Sequence, residues 1–185
     1  RSFLQHGATA VALAAGARDL LSAQPAGGDF DLIITGGTVI DPFSDTNKAA
    51  DIGIKAGRIV AVADRLDRTR AARVLEATGL HVSPGWIDLH AHIFRGVNPL
   101  GVDADRDAGV KVGVTTVADP GGFCSDDFPQ FRREVVEKSV TRVLGFVNVA
   151  AHRSKPDAPM QGDWSLFDQE LTIKTVLENR DVIKG

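Results

Sequence analysis

Two histidines two positions apart, His90 and His92, are the residues whose type and spacing point most directly to chemistry. In an extended segment the side chains at i and i+2 share a face. Two imidazoles on one face can each give a ring nitrogen to a single cation, at about 2.0–2.1 Å for zinc. Asp88 has the same parity one step earlier, where it could orient a histidine by accepting a hydrogen bond from it. A lone His-x-His is a short motif that chance supplies, so its setting matters. Pro84-Gly85 leads directly into Trp86-Ile87-Asp88-Leu89-His90-Ala91-His92, with apolar Ile87 and Leu89 on the opposite parity. Cys124 is the only cysteine, which excludes an internal disulfide and a CxxC metal site. Any metal is therefore held by His, Asp, Glu or a modified Lys. Cys124 has no His or Lys beside it in sequence to favour the thiolate, so it is not read as a nucleophile.

Other residues carry weaker signals. Asp119 follows an apolar, β-branched run and precedes Pro120-Gly121-Gly122, so it is either a turn residue or a group facing the site mouth. His152 follows a further apolar run and is either a substrate contact or a surface-loop histidine. Arg95 could pair with a substrate carboxylate or simply lie in solvent. His81 stands outside the motif and is read as structural, and His6 lies in the N-terminal segment.

The elements that must position these residues fall into three stretches. Residues 1–28 combine Arg1 near a mild Ala/Gly/Val run with a small-residue end at Ala26-Gly27-Gly28. This pattern predicts an export signal and linker; Arg1-Ser2-Phe3-Leu4-Gln5 resembles a twin-arginine motif, and a frayed helix is the alternative. Residues 29–82 read as a β-sandwich-like module without helix. Asp31–Thr35 and Thr38–Ile40 flank a Gly36-Gly37 turn, Asp51–Lys55 alternates, Ala56-Gly57 turns the chain, and Arg58–Val62 returns as a hairpin partner. Arg73–Glu76 and His81-Val82 are short extended pieces. From residue 83 to 185 strands alternate with helices. Strands are predicted at Trp86–Ala91, Val114–Ala118 and Val143–Val149, with the start of a fourth at Asp181–Ile183. Helices are predicted at Asp103–Val112, over Phe128–Val136 capped by Ser125 or Asp126, and at Asp168–Asn179. Such alternation argues for a parallel α/β sheet. A complete (β/α)8 TIM barrel needs about 250 residues, so at most its first part is expected here.

Composition excludes several classes. The chain has 185 residues, 43% hydrophobic and 24% charged, with a formal net charge of -3. That is the balance of a globular protein, and it leaves no electrostatic footprint for nucleic acid. No apolar run approaches the roughly 18 residues of a membrane span. Nor does any Gly-Gly pair sit in a phosphate-loop pattern.

The segments DLIITGGTVIDP, ADIGIKAGRIVAV, ATGLHVSPGWIDLHAH and GVTTVADPG resemble, in order and approximate spacing, the N-terminal half of the amidohydrolase superfamily. The likeness is to its dihydroorotase-like branch. Within that branch it points to the amidohydrolase/deacetylase-type metallohydrolases, through Phe94, Gly96–Asp103 and Phe128–Arg133. The resemblance implies a site of two divalent metals, zinc as the first expectation, with His90 and His92 as ligands. It also implies a bridging carboxylated Lys from strand 4, two further His and a general-base Asp. Lys184 is one reading of the bridge, and a lysine beyond this chain is the other. The implied reaction is hydrolysis of an amide, cyclic or open-chain, or of an ester in a small molecule such as an N-acyl amino acid, by metal-activated hydroxide. Dihydroorotase, hydantoinase and D-aminoacylase chemistry is the nearest alternative. A non-catalytic scaffold and a flavodoxin-like module with a chance His-x-His are others. The expected partners are a small-molecule substrate, further copies of the chain and, through residues 1–28, an export machinery; the location that follows is periplasmic or exported, otherwise cytoplasmic.

Overall fold

The computed structural model describes residues 28–150 and 164–185. Contacts divide the chain into two compact units, one ending at Gly85 and the other spanning Trp86–Gly185.

The first unit holds a five-stranded mixed sheet. Its strands are β1 (Leu32–Asp41), β2 (Thr46–Lys55), β3 (Arg58–Ala63), β4 (Val74–Glu76) and β5 (His81–Val82), in the order β3-β2-β1-β4, with β5 also pairing β1. Antiparallel β2 and β3 meet at Ala56-Gly57, where both residues have positive φ, as a two-residue hairpin turn of this hand requires. Gly36-Gly37 does not turn the chain as the sequence suggests. β1 runs straight through it, and the pairing slips between Ile34 and Gly37, which is a β-bulge. Gly36 adopts φ 77°, and its N–H donates to Asp51 Oδ1 at 3.1 Å. The glycine pair therefore bends one long strand around a carboxylate on its neighbour. A short 3-10 turn at Arg68–Arg70 interrupts a stretch expected to lack helix; Asp67 caps it by accepting from Thr69 N–H. The core of this unit is Ile34, Val39, Ala50, Ile52, Ile54, Ala77 and Val82.

Asp51 is almost wholly buried and also accepts from Leu66 N–H at 2.9 Å. Burial pushes its pKa up, but the Leu66 and Gly36 N–H groups, Thr35 and Arg68 outweigh it and hold the carboxyl below its ordinary value. A depressed folded-state pKa contributes stability above the unfolded pKa of about 3.9, and that stability is lost as pH falls through the folded value. Acid titration of the wild-type unit should therefore show a loss of denaturation midpoint below about pH 4 that is reduced in Asp51→Asn. Identical acid limbs in the two proteins would remove Asp51 as a contributor.

The second unit is built on three parallel strands in chain order, β6 (Trp86–Asp88), β7 (Val114–Asp119) and β8 (Arg142–Gly145). β7 is central, and Thr116, Val117, Ala118 and Asp119 are all buried, as expected of a strand covered on both faces. A fourth extended piece lies beside β8. Gly145 bridges Ile183 in parallel, and Lys184 N–H donates to Gly145 C=O at 2.9 Å. The strands at 86–91 and 143–149 are shorter than expected, ending at Asp88 and Gly145.

Asp103–Val112 is not an α-helix but a series of turns closing in a 3-10 turn at Val110–Val112. Two aspartates compete for its backbone donors: Asp103 Oδ1 accepts from the N–H of Asp105 and Arg106, and Asp107 Oδ2 from that of Asp103. Gly109 then departs from helical geometry at φ -120°, ψ -138°. The Phe128–Val136 helix forms as α1 (Phe128–Phe131) running into a π-helical stretch, Arg132–Val136. Its N-cap position is Asp127, not Ser125 or Asp126, and no side chain caps it. α2 (Gln169–Glu178) starts where predicted, with Asp168 accepting from Leu171 N–H at 2.8 Å. The core gathers Phe94, Phe123 and Phe131, all fully buried, with Ile93, Val117, Val143, Val182 and Ile183. No helix among the described residues is long and apolar enough to cross a membrane.

Candidate functional site

The site grows from the ends of β6 and β7. β6 stops at Asp88 because Asp88 Oδ1 accepts from the N–H of His90 at 2.8 Å, a local turn that lifts the chain out of the strand. Asp88 thus fixes the backbone of His90. Ala91 N–H donates to Ala118 C=O at 3.1 Å, which keeps the departing segment against β7.

His90 and His92 come together. Their ring centroids are 5.6 Å apart and the ring planes stand at 82°. Two imidazoles sharing one cation at zinc distances have centroids about 5–6 Å apart, so the spacing fits a common ion. His90 is exposed, and the His92 side chain is 25% exposed. Among the described residues only Cys124, Asp126 and Asp127 gather three metal-type ligand atoms, and neither histidine is among them. There the Cys124 thiol donates to Asp126 Oδ1 at 3.2 Å and Asp127 Oδ2 at 3.4 Å.

Asp119 is a turn residue that also meets the histidine segment. Its fully buried carboxylate accepts from the N–H groups of Gly121 and Gly122 in its own turn and, at 2.9 Å, from Ile93 N–H on the histidine segment. Its Oδ1 also lies 3.9 Å from His92 Nδ1. One side chain therefore pins the end of β7 to the loop carrying the histidines and faces the ring of one of them.

Sequence reasoning missed two neighbours. Asn98 places Nδ2 3.2 Å from His92 Nδ1, and its loop returns on itself, since Asn98 N–H donates to Phe94 C=O and Val102 N–H to His92 C=O. Gly122 lies so close that a Cβ there would sit 2.6 and 2.7 Å from the Asp119 carboxylate oxygens and 2.9 Å from Asn98 Nδ2. No periodicity announces an asparagine in a loop, although a Gly-Gly pair after a strand does mark close backbone approach.

The remaining candidates lie elsewhere. Lys184 Nζ donates to the C=O of Arg180, four residues back, at 2.5 Å, as an ordinary exposed lysine does. Arg95 borders a cavity of about 360 Å³ with Ile93, Asp103, Glu134 and Lys138, and neither histidine lines it. His81 pairs with Thr38 in the first unit's sheet. His152, His6 and the export-signal segment lie outside the described residues.

No protein-family model matches the chain. A deacetylase of Agrobacterium fabrum is 34% identical over 135 residues, covering 70% of this chain and 32% of the relative. A deacetylase of Enterococcus faecalis is 33% identical over 157 residues, 85% of this chain and 40% of the relative. The crystal structure of a dihydroorotase superposes with a TM-score of 0.70 at 26% identity, covering 83% of this chain and 41% of that one. The chain thus spans 32% and 40% of the length of these two curated relatives.

Proposed function

The chain belongs to the dihydroorotase-like branch of the amidohydrolase superfamily, and from that premise we infer that the whole protein is a metal-dependent hydrolase of carbon–nitrogen bonds other than peptide bonds. Its substrate is an amide, cyclic or open-chain, or an ester of a small molecule such as an N-acyl amino acid. The observation that carries this reading is the approach of the His90 and His92 rings to 5.6 Å, in a chain 34% and 33% identical to two deacetylases. A cyclic-amide substrate is the second reading, favoured by the fold shared with a dihydroorotase.

The cofactor is divalent metal, two zinc ions in the complete site, with a carboxylated lysine as bridge. When bound, such ions lower the pKa of water and polarise a carbonyl. His90 and His92 would hold the metal through ring nitrogens. Asp88 sets the backbone that carries His90, and Asp119 locks the histidine segment to β7. His152 is assigned to substrate contact and the general base to an Asp, the role implied by the family likeness. The proposed architecture is a β-sandwich-like module over 29–82 followed, over 83–185, by the first part of a TIM barrel; three parallel strands in chain order with a fourth segment beside β8 support the latter. Residues 1–28 are proposed as an export signal, on their Arg1–Gln5 pattern, with export machinery and further copies of the chain as partners.

The test is hydrolysis by the metal-loaded whole protein of a panel of N-acyl amino acids, hydantoins and dihydropyrimidines, read as released acid or amine. Turnover of one class is expected to vanish on chelation and return with zinc, manganese or cobalt. Turnover that survives complete metal removal, or none across the panel, would overturn the reading.

A further inference from the structure

His92 is offered two opposed partners on one ring nitrogen. Asn98 holds its amide nitrogen 3.2 Å from Nδ1. The amide is oriented from its other end, where Oδ1 accepts from Leu100 N–H at 2.9 Å. What faces the imidazole is therefore an NH2 group, which only donates. Asp119 Oδ1 lies 3.9 Å from the same Nδ1, and an ionised carboxylate only accepts. A neutral imidazole carries one proton: on Nε2 it leaves Nδ1 free to accept from Asn98, and on Nδ1 it donates toward Asp119. Coordination through Nε2 demands the second form, because a ligating histidine keeps its proton on the other nitrogen and gives it to an acceptor.

We infer that Asn98 and Asp119 are opposed positioning residues that set the tautomer of His92. Asn98, at hydrogen-bonding distance, holds the metal-free ring with its proton on Nε2. Asp119, now 3.9 Å away, accepts a hydrogen bond from Nδ1–H when the ring swings toward it and Nε2 turns to a metal. The carboxylate is prepared for this, because the N–H groups of Ile93, Gly121 and Gly122 fix it in place. Gly122 is what lets both polar groups crowd the ring, since any Cβ there would strike Asp119 and Asn98 alike. Asn98 thereby opposes metal binding at Nε2 and Asp119 favours it. The inference rests on the reading of His92 as an Nε2 ligand.

The test uses the whole protein with 15N-labelled histidine. In the metal-free wild type, the imidazole spectrum of His92 should show a protonated Nε2, and in Asn98→Ala a shift toward protonated Nδ1. Cobalt should bind Asn98→Ala about fivefold more tightly, the worth of one competing hydrogen bond, and Asp119→Asn about tenfold more weakly. Should Asp119→Asn fail to fold, the Asn98→Ala tautomer and affinity still decide. A wild-type ring already protonated on Nδ1, an unchanged tautomer in Asn98→Ala, or weaker cobalt binding by that variant would overturn the proposal. His92→Ala tests the premise separately: undiminished cobalt binding in it, beside a tautomer shift in Asn98→Ala, would remove His92 as a ligand and leave the tautomer assignment standing.

Discussion

Replacing His90 with alanine in the whole protein is expected to lower bound metal from about two ions per chain to one or none and hydrolysis by about 10³-fold or more. A bound ion contributes several kcal/mol to the barrier, and each 1.36 kcal/mol is a factor of ten. The fold should not notice the change. His90 is exposed, and what holds its segment are backbone contacts with Asp88, Ala118 and Asp119, which alanine keeps. The cost in stability should stay within about 0.5 kcal/mol, the range of surface substitutions. Loss of metal at an unchanged melting temperature therefore separates a ligand from a structural residue, with metal measured by mass spectrometry and melting followed on the metal-free proteins. Asp88→Ala serves as the graded comparison. It removes the turn but no ligand atom, so metal affinity should fall by about tenfold rather than vanish. Equal metal content in wild type and His90→Ala would take His90 out of the site and favour a non-catalytic role for this fold.

What could be read from the sequence is what local pattern decides. The alternation of Asp51–Lys55 and the Ala56-Gly57 pair predict a hairpin because both strand faces and both positive-φ positions lie within a few residues. Asp168 announces α2 in the same way. The misreadings share a different cause. Gly36-Gly37 looks like a turn until Asp51, fifteen residues later, supplies the carboxylate that makes it a bulge. Asp103–Val112 has helical spacing, but its own aspartates take the backbone donors a helix would use. The histidine pair is legible as a motif, yet its surroundings are not. Asp119 meets Ile93 from 26 residues away, and Asn98 reaches His92 only because its loop folds back. Residue types nominate the ligands, whereas the groups that orient them are chosen by tertiary packing.

That packing gives the largest expected loss of stability. Phe131→Ala should destabilise the second unit by about 3–5 kcal/mol, the usual cost of emptying a buried aromatic site. Phe131 is fully buried, stacks on Phe123 at a centroid distance of 4.3 Å and meets Phe94 edge-on at 5.3 Å. Its partners belong to the two loops that build the site: Phe94 follows the histidine pair, and Phe123 follows the glycines that cradle Asp119. Gly145 lies against the Phe123 ring so closely that a Cβ there would fall 2.8 Å from its Cζ, so this side of the core is already tightly packed. Val140→Ala, at a position 72% exposed, is the control and should change little. Metal supplies the decisive comparison. An ion that binds only the folded state adds about 2.7 kcal/mol at a hundredfold excess over its dissociation constant. Saturating zinc should therefore restore most of the melting temperature lost in Phe131→Ala, and much less of it when His90→Ala is added. If zinc raises the melting temperature of the wild type but not that of Phe131→Ala, the aromatic cluster is required to form the site as well as to hold the fold. If zinc raises neither, the histidine pair does not bind metal in the native state.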